Sequence, residues 1–434
     1  MLSNILKAKE LIEELSLSKP IKVISHFDAD GITSAAVFSR AMQRWGKKFS
    51  LEIVKGLDED YISKLSEDNL LIFLDLASGS LAHLSKKNTQ VIIFDHHEIT
   101  QDIPANVLMI NPIMDSSEKL SGAGVCYQFA KALKIETSDL ATLALIGMVG
   151  DSLEKDIGKT YSEIIKDADA TIKKGLLIYP STRALDKALE YSSNPFIPGV
   201  TGSYQGVLSL LRDANIQKEN GRFKALYELT EEEMSRLITA VLLRCINIPH
   251  DNILGNIYLL KFMNRMEDAR ELSALINACS RMDNPFVALG FCLGNKGYRE
   301  KAEKIYISYK QNLVSGLKYV NELSKITGKN YTIINAKDNI KDTIIGTIAS
   351  IISYSSEYTQ GTMIIALAYN EDKIKVSARI AGREGRNVRE ILSQVVVPLG
   401  GEVGGHPKAA GCLISRDKEE LFISELKRVL DTEL

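Results

Sequence analysis

The sequence predicts an α/β protein: a parallel sheet with helices on both faces, a mainly helical middle region, and a smaller α/β region toward the C-terminus. Three observations predict it. Near the N-terminus, short apolar runs alternate with helix-like stretches, the βαβ pattern of a parallel sheet. After Asp151 the texture turns to helical periodicity, which lasts to about residue 310. From about residue 315 strand-like alternation returns. A chain of 434 residues is too long for one ordinary core, and boundaries are expected at 1–190, 191–314 and 315–434.

The first stretch, MLSNILKAKELIEEL, reads as an amphipathic helix carrying acids, unlike a signal peptide. Ile21 to Ser25 reads as a strand that ends in His26-Phe27-Asp28-Ala29-Asp30-Gly31, with the helix-like ITSAAVFSRAMQRW behind it. Leu70 to Leu74 ends in Asp75, and Val91 to Phe94 ends in Asp95-His96-His97. Leu140 to Val149, read as a fourth strand, ends in Gly150-Asp151. Sites in open parallel sheets form beyond the carboxyl ends of the strands. If these strands are neighbours, Asp28, Asp30, Asp75, His96 and Asp151 converge on one edge. Carboxylates so close repel one another. Two divalent cations would cancel them, and mixed Asp and His donors suit Mn²⁺ or Mg²⁺ better than a thiolate site suits zinc. A metal pair about 3.5–4 Å apart activates water against a phosphoester. A single aspartate after a strand is more often a helix cap or turn former. Four of them, two with histidines, outweigh that reading.

In the middle region, LTEEEMSRLITAVLLRCI reads as a helix, with Thr230 and Glu233 as its capping box. RELSALINACSRM places Leu272, Leu275, Ile276 and Cys279 at helical spacing, and Asn277 and Arg281 elsewhere on that helix. Plain scaffold explains most of this region. Further on, Tyr331 to Asn335 and Met363 to Ala368 read as strands and Asp342 to Ser353 as a helix. Lys373 to Ile380 alternates, so Ser377 and Arg379 share a face, as a phosphate-binding strand needs. Arg383, Arg386 and Arg389 follow as a local basic patch, although a charge run is as often plain solvated surface. In GGHPKAAG, Gly404 and Gly405 would let backbone N–H groups approach an anion. His406 would donate to a phosphate oxygen or stack on a base.

Composition narrows the classes. Hydrophobic content is 45% and charged content 25%, as in soluble globular proteins. No run of about 18 apolar residues marks a membrane span. The 5 cysteines form no C-x-x-C pair, which fits a reducing cytoplasm. A net charge of −2 gives no global field for nucleic acid, so any such binding needs a local patch.

Together these motifs resemble the DHH phosphoesterase superfamily: His26-x-Asp28-x-Asp30-Gly31, Asp75, Asp95-His96-His97, Gly150-Asp151, then GGHxxAAG at Gly404 to Gly411, the signature of the DHHA1 domain. The passages ISHFDADGIT, SNPFIPGVTG, ELSALINACSR and SARIAG are similar to archaeal RecJ-like nucleases, including the type that associates with the replisome GINS complex. The resemblance implies one metal on His26, Asp28 and Asp75, and another on Asp30, Asp75, His96 and Asp151. It implies that His97 contacts the phosphate, with Asp95 supporting from behind. It implies substrate contacts from Asn277, Arg281, Ser377, Arg379, Gly404, Gly405 and His406, with DHHA1 across a cleft. The implied activity is single-strand-specific exonucleolysis of DNA, 5′-to-3′, and of RNA, with Mn²⁺ or Mg²⁺, in cytoplasmic replication or repair. GINS or a repair helicase is the implied partner, and no membrane. Alternatives are a phosphodiesterase or phosphatase on short oligonucleotides or small nucleotides, and a replisome scaffold with a secondary nuclease role. Inorganic pyrophosphatase ranks lower, because that branch lacks GGHxxAAG. The residues themselves leave polarity, metal and sugar preference open, and none is identified that reads a 2′-hydroxyl.

Overall fold

Five apolar runs pair in parallel to form the first sheet: β1 (Ile21–His26), β2 (Phe49–Val54), β3 (Leu70–Leu74), β4 (Val91–Phe94) and β5 (Val107–Ile110), in the order β2-β1-β3-β4-β5. The computed structural model describes every residue except 116–117, 156, 193–194, 196, 246–252, 356, 383 and 433–434. Arg383 and parts of SNPFIPGVTG therefore lie outside the described residues. The chain divides into two units, Met1–Tyr306 and Ile307–Leu434.

β3 and β4 are apolar throughout because both faces of the sheet are covered. On one face, Leu71, Phe73, Val91 and Ile93 cluster with Ile62, Leu81 and Leu84 from two short helices. On the other, Phe94 packs with Phe38 and Phe129, from the helices Ala29–Arg44 and Gly122–Ala132. Register aligns the strand ends. Leu74 pairs with Ser25 on one side and Phe94 on the other, so His26, Asp75 and Asp95 emerge at one level.

One expected strand is a helix. Leu140 to Val149 lies inside the helix Ser138–Gly150, and Asp151 is its C-cap. All 10 of those residues are buried, so the segment shows no polar face from which a helical period could be read. Asp151 still reaches the edge, from a helix end.

Thr230 and Glu233 form the expected capping box at the helix Glu231–Leu242. This region also holds a three-stranded antiparallel sheet, β6 (Thr171–Leu176), β7 (Leu254–Phe262) and β8 (Arg265–Asp268). β7 leads through β8 into the helix Ala269–Arg281, capped by Asp268.

The second unit carries a six-stranded sheet, β13-β14-β12-β11-β10-β9, built from β9 (Ile326–Thr327), β10 (Tyr331–Asn335), β11 (Met363–Asn370), β12 (Lys373–Ile380), β13 (Val403–His406) and β14 (Ala409–Ser415). Only β10 and β11 pair in parallel. Ile374, Val376 and Ala378 face a core shared with the helices Val388–Val396 and Glu419–Thr432. Among the described residues, no helix is long and apolar enough to cross a membrane.

Candidate metal centre

The carboxyl ends of β1, β3 and β4 and the end of the helix Ser138–Gly150 bring acids and histidines together. His26 Nδ1 lies 3.0 Å from Asp28 Oδ2 and 3.7 Å from Asp75 Oδ2. His96 Nε2 lies 2.9 Å from Asp151 Oδ2, 3.2 Å from Asp75 Oδ1 and 3.7 Å from Asp30 Oδ2. Two triads result, His26–Asp28–Asp75 and Asp30–His96–Asp151, each with donor atoms within 4.8 Å of one another. Asp75 approaches both histidines. Its φ of 60° turns the backbone sharply out of β3.

Two of the acids are also held by the backbone. Asp28 caps the helix Ala29–Arg44, accepting from Gly31 N at 2.9 Å. Asp30 accepts from Gly122 N at 2.5 Å and Ala123 N at 3.0 Å, the first amides of the helix Gly122–Ala132. A helix N-terminus favours a carboxylate in this way. Gly122 is required by this approach: a Cβ there would sit 2.7 Å from Asp75 Cβ. Gly147 is held to the same rule, since its Cβ would overlap Asp30 Oδ1.

Asp95 is fully buried and plays a different part. It accepts from Ser78 N and Oγ, from the amides of His96 and His97, and contacts His97 Nδ1 at 2.7 Å. Its oxygens are taken up inside the protein. His97 is thereby fixed with its side chain 54% exposed, and Asn111 Nδ2 donates to its carbonyl.

Burial raises the Asp30 carboxyl well above the usual range, and the nearby charges of Asp75 and Asp151 add to the rise. Burial also raises Asp151, against the pull of His96. Burial alone would lower His96, but the carboxylates of Asp151, Asp75 and Asp30 push it up to about 12. Asp28 moves the other way. Burial works to raise it, and His26 with the Gly31 amide holds it below the usual range. The cluster therefore has more negative charge than its histidines can offset. His26 Nδ1, Asp75 Oδ1 and His96 Nε2 are buried and make no aligned hydrogen bond. Orphaned hard donors of this kind, with no thiolate in either triad, fit divalent cations of the Mn²⁺ or Mg²⁺ type.

Asn277 reaches this edge, its Oδ1 accepting from Ala29 N at 2.9 Å. Arg281, the last residue of that helix, is half-buried. In the second unit, Ser377 is buried within β12, and Arg379 turns back on its own unit, donating to Ser350 Oγ at 2.9 Å and Ala378 O at 2.8 Å. Gly404, Gly405 and His406 are exposed on β13, which forms a hairpin with β14. Arg386 is engaged by the Leu430 carbonyl, and Arg389 is exposed. Sequence reasoning missed Ser78, Asn111, Gly122, Ala123 and Gly147. The run Ser121-Gly-Ala-Gly ahead of an apolar helix was an available signal for the helix start, though not for its target.

Residues 20–148 match the DHH family, N-terminal domain; residues 178–253 match the DHH-CID domain; residues 301–432 match the DHHA1 domain. The chain belongs to the DHH superfamily. An uncharacterized protein of Methanocaldococcus jannaschii is 28% identical across 100% of this chain and 99% of its own. The single-stranded-DNA-specific exonuclease RecJ of Thermus thermophilus is 29% identical over 168 residues, 35% of this DHH chain and 25% of that protein. Exonuclease RecJ bound to manganese shares the fold, with TM-score 0.62 and 17% identity over 99% of this chain and 94% of that one. CDC45 of Entamoeba histolytica shares it too, with TM-score 0.65 and 14% identity over 99% of both chains.

Proposed function

We propose that this DHH protein is a divalent-metal-dependent, single-strand-specific exonuclease that hydrolyses terminal phosphodiesters of DNA, 5′-to-3′, and of RNA. One observation carries the reading: buried donor atoms of His26, Asp75 and His96 crowd together at one acidic sheet edge without an aligned hydrogen bond. Family membership supports the reaction class. Likeness to proteins named single-stranded-DNA-specific exonuclease supports the substrate.

His26, Asp28 and Asp75 would hold one cation, and Asp30, Asp75, His96 and Asp151 the other. A bound pair supplies Lewis-acid chemistry, acidifying water and offsetting charge on the phosphoryl oxygens. The chain's own residues do the positioning. Asp95 holds His97 through Nδ1, leaving the Nε2 edge for a phosphate oxygen. Gly122 and Ala123 fix both oxygens of Asp30, so the centre needs little rearrangement during reaction. Asn277, Arg281, Ser377, Arg379, Gly404, Gly405 and His406 are the proposed substrate contacts. Mn²⁺ is the proposed ion, with Mg²⁺ second. GINS or a repair helicase is the proposed partner, on the family resemblance.

The test uses single-stranded DNA and RNA, labelled separately at each end, with Mn²⁺, Mg²⁺ or EDTA. The expected result is mononucleotide release from one end, lost in EDTA and absent on duplex. Turnover of dinucleotides alone would favour a small-substrate phosphodiesterase. No turnover of either would leave the scaffold reading.

A further inference from the structure

The helix Ala269–Arg281 belongs to the middle region, yet it meets both segments that carry the acids of the second triad. Arg270 Nη2 donates at 2.5 Å to Glu154 Oε1, in the turn beyond Asp151. Ser273 Oγ packs on Gly150, where a Cβ would lie 3.2 Å from it. Asn277 Oδ1 accepts from Ala29 N at 2.9 Å, between Asp28 and Asp30. Positions 270, 273 and 277 are spaced i, i+3, i+7, so the three share one face of the helix. Leu272, Leu275, Ile276 and Cys279 lie on the other side, are buried, and hold the helix in place.

Each end of this face has a reason to be there. Ala29 is the first residue of the helix Ala29–Arg44, so its amide has no partner within that helix. Ala29 is also buried, which makes an unmade hydrogen bond costly. Asp28 spends its Oδ1 on Gly31 N, and its Oδ2 lies 3.0 Å from His26 Nδ1. The acceptor for Ala29 therefore comes from Asn277. Its Oδ1 is committed to this bond, which leaves Nδ2 for substrate. At the other end, Asp151 stands where the chain leaves the helix Ser138–Gly150. A Cβ on Gly150 would lie 3.0 Å from Ala29 Cβ, so the two segments touch directly beside Ser273.

We propose that the helix Ala269–Arg281 is a spacer that sets Asp151 against Asp30, with Asn277 as its positioning residue. Through it the middle region governs how tightly the Asp30–His96–Asp151 triad holds a cation. This inference rests on the metal reading above.

The test is titration calorimetry of the full chain with Mn²⁺, beside deuterium exchange of residues 26–33 in metal-free protein. Asn277→Leu keeps the approximate shape and removes the acceptor. Its Mn²⁺ affinity is expected to fall about tenfold or more, with faster exchange in that segment. Asn277→Asp keeps the acceptor and is expected to bind Mn²⁺ at least as tightly as the parent. Parental affinity in Asn277→Leu, even with a lowered thermal midpoint, makes Asn277 a helix cap alone and overturns the proposal. Equal losses in both variants overturn it too. If Asn277→Leu does not fold, Gly150→Ala presses on the same contact from the opposite side. Weaker Mn²⁺ binding there supports the spacer, and unchanged binding overturns it. If the parent binds no Mn²⁺, the metal reading falls and takes this one with it.

Discussion

Around the parallel sheet β1–β5, the candidate ligands gather at strand and helix ends, buried or half-buried, with Asp28 and Asp30 held by backbone amides. On the sheet β9–β14, the Gly404–His406 edge lies in solvent. The difference teaches how each region tolerates change. In the first, like charges are forced together and kept there by rigid neighbours, so a substitution disturbs chemistry and packing at once. In the second, side chains stand free of the core, and the fold depends on the backbone of the hairpin.

Asp75→Asn is the sharpest way to break this contrast and should have the largest effect. Asparagine tolerates the left-handed backbone at this position, so it isolates the lost charge. Hydrolysis of an end-labelled single strand should fall by about 10²–10³-fold or more. The thermal midpoint, read by circular dichroism, should hold or rise, because a repelling charge is gone. Substantial residual activity in Mn²⁺ would contradict an Asp75 shared between two cations.

Gly122→Ala tests packing rather than charge. Its Cβ would press on Asp75 at 2.7 Å and on Ser34 Oγ at 2.9 Å. Denaturant unfolding should show a loss of about 1–3 kcal/mol. Calorimetry should show weaker Mn²⁺ binding in the same variant. Unchanged metal affinity would mean the brace is not needed for the centre.

The smallest effects belong to the hairpin, where neighbours should behave oppositely. Gly405 has φ 116°, and a Cβ there would collide with the Ala409 carbonyl. Gly405→Ala should cost about 1–2 kcal/mol in unfolding. His406→Ala should stay within about 0.5 kcal/mol of the parent while weakening substrate binding. If His406→Ala leaves both affinity and turnover intact, this edge does not contact substrate.

Much of the fold was legible. Strands at Leu70–Leu74 and Val91–Phe94, the helix Asp342–Ser353 and the alternation in Lys373–Ile380 were all visible as apolar pattern. The same rule failed at Leu140–Val149. A helix buried on every side has no polar stripe, so its residues read like a buried strand. The acids and histidines of the centre were legible because each follows an apolar run. Their supports were not. Gly122 meets Asp30 across 92 positions and Asn277 meets Ala29 across 248, distances over which local pattern carries no information.

That misread helix changes the field at the centre. A strand ending in aspartate would have brought one side-chain charge and almost no backbone dipole. The helix Ser138–Gly150 instead directs its carboxyl end, the negative pole of its peptide dipoles, toward the place where Asp151 stands. The helices Ala29–Arg44 and Gly122–Ala132 bring positive poles to Asp30. Two poles thus steady the carboxylate that is hardest to ionise, while the third adds attraction for cations that no count of acidic side chains includes.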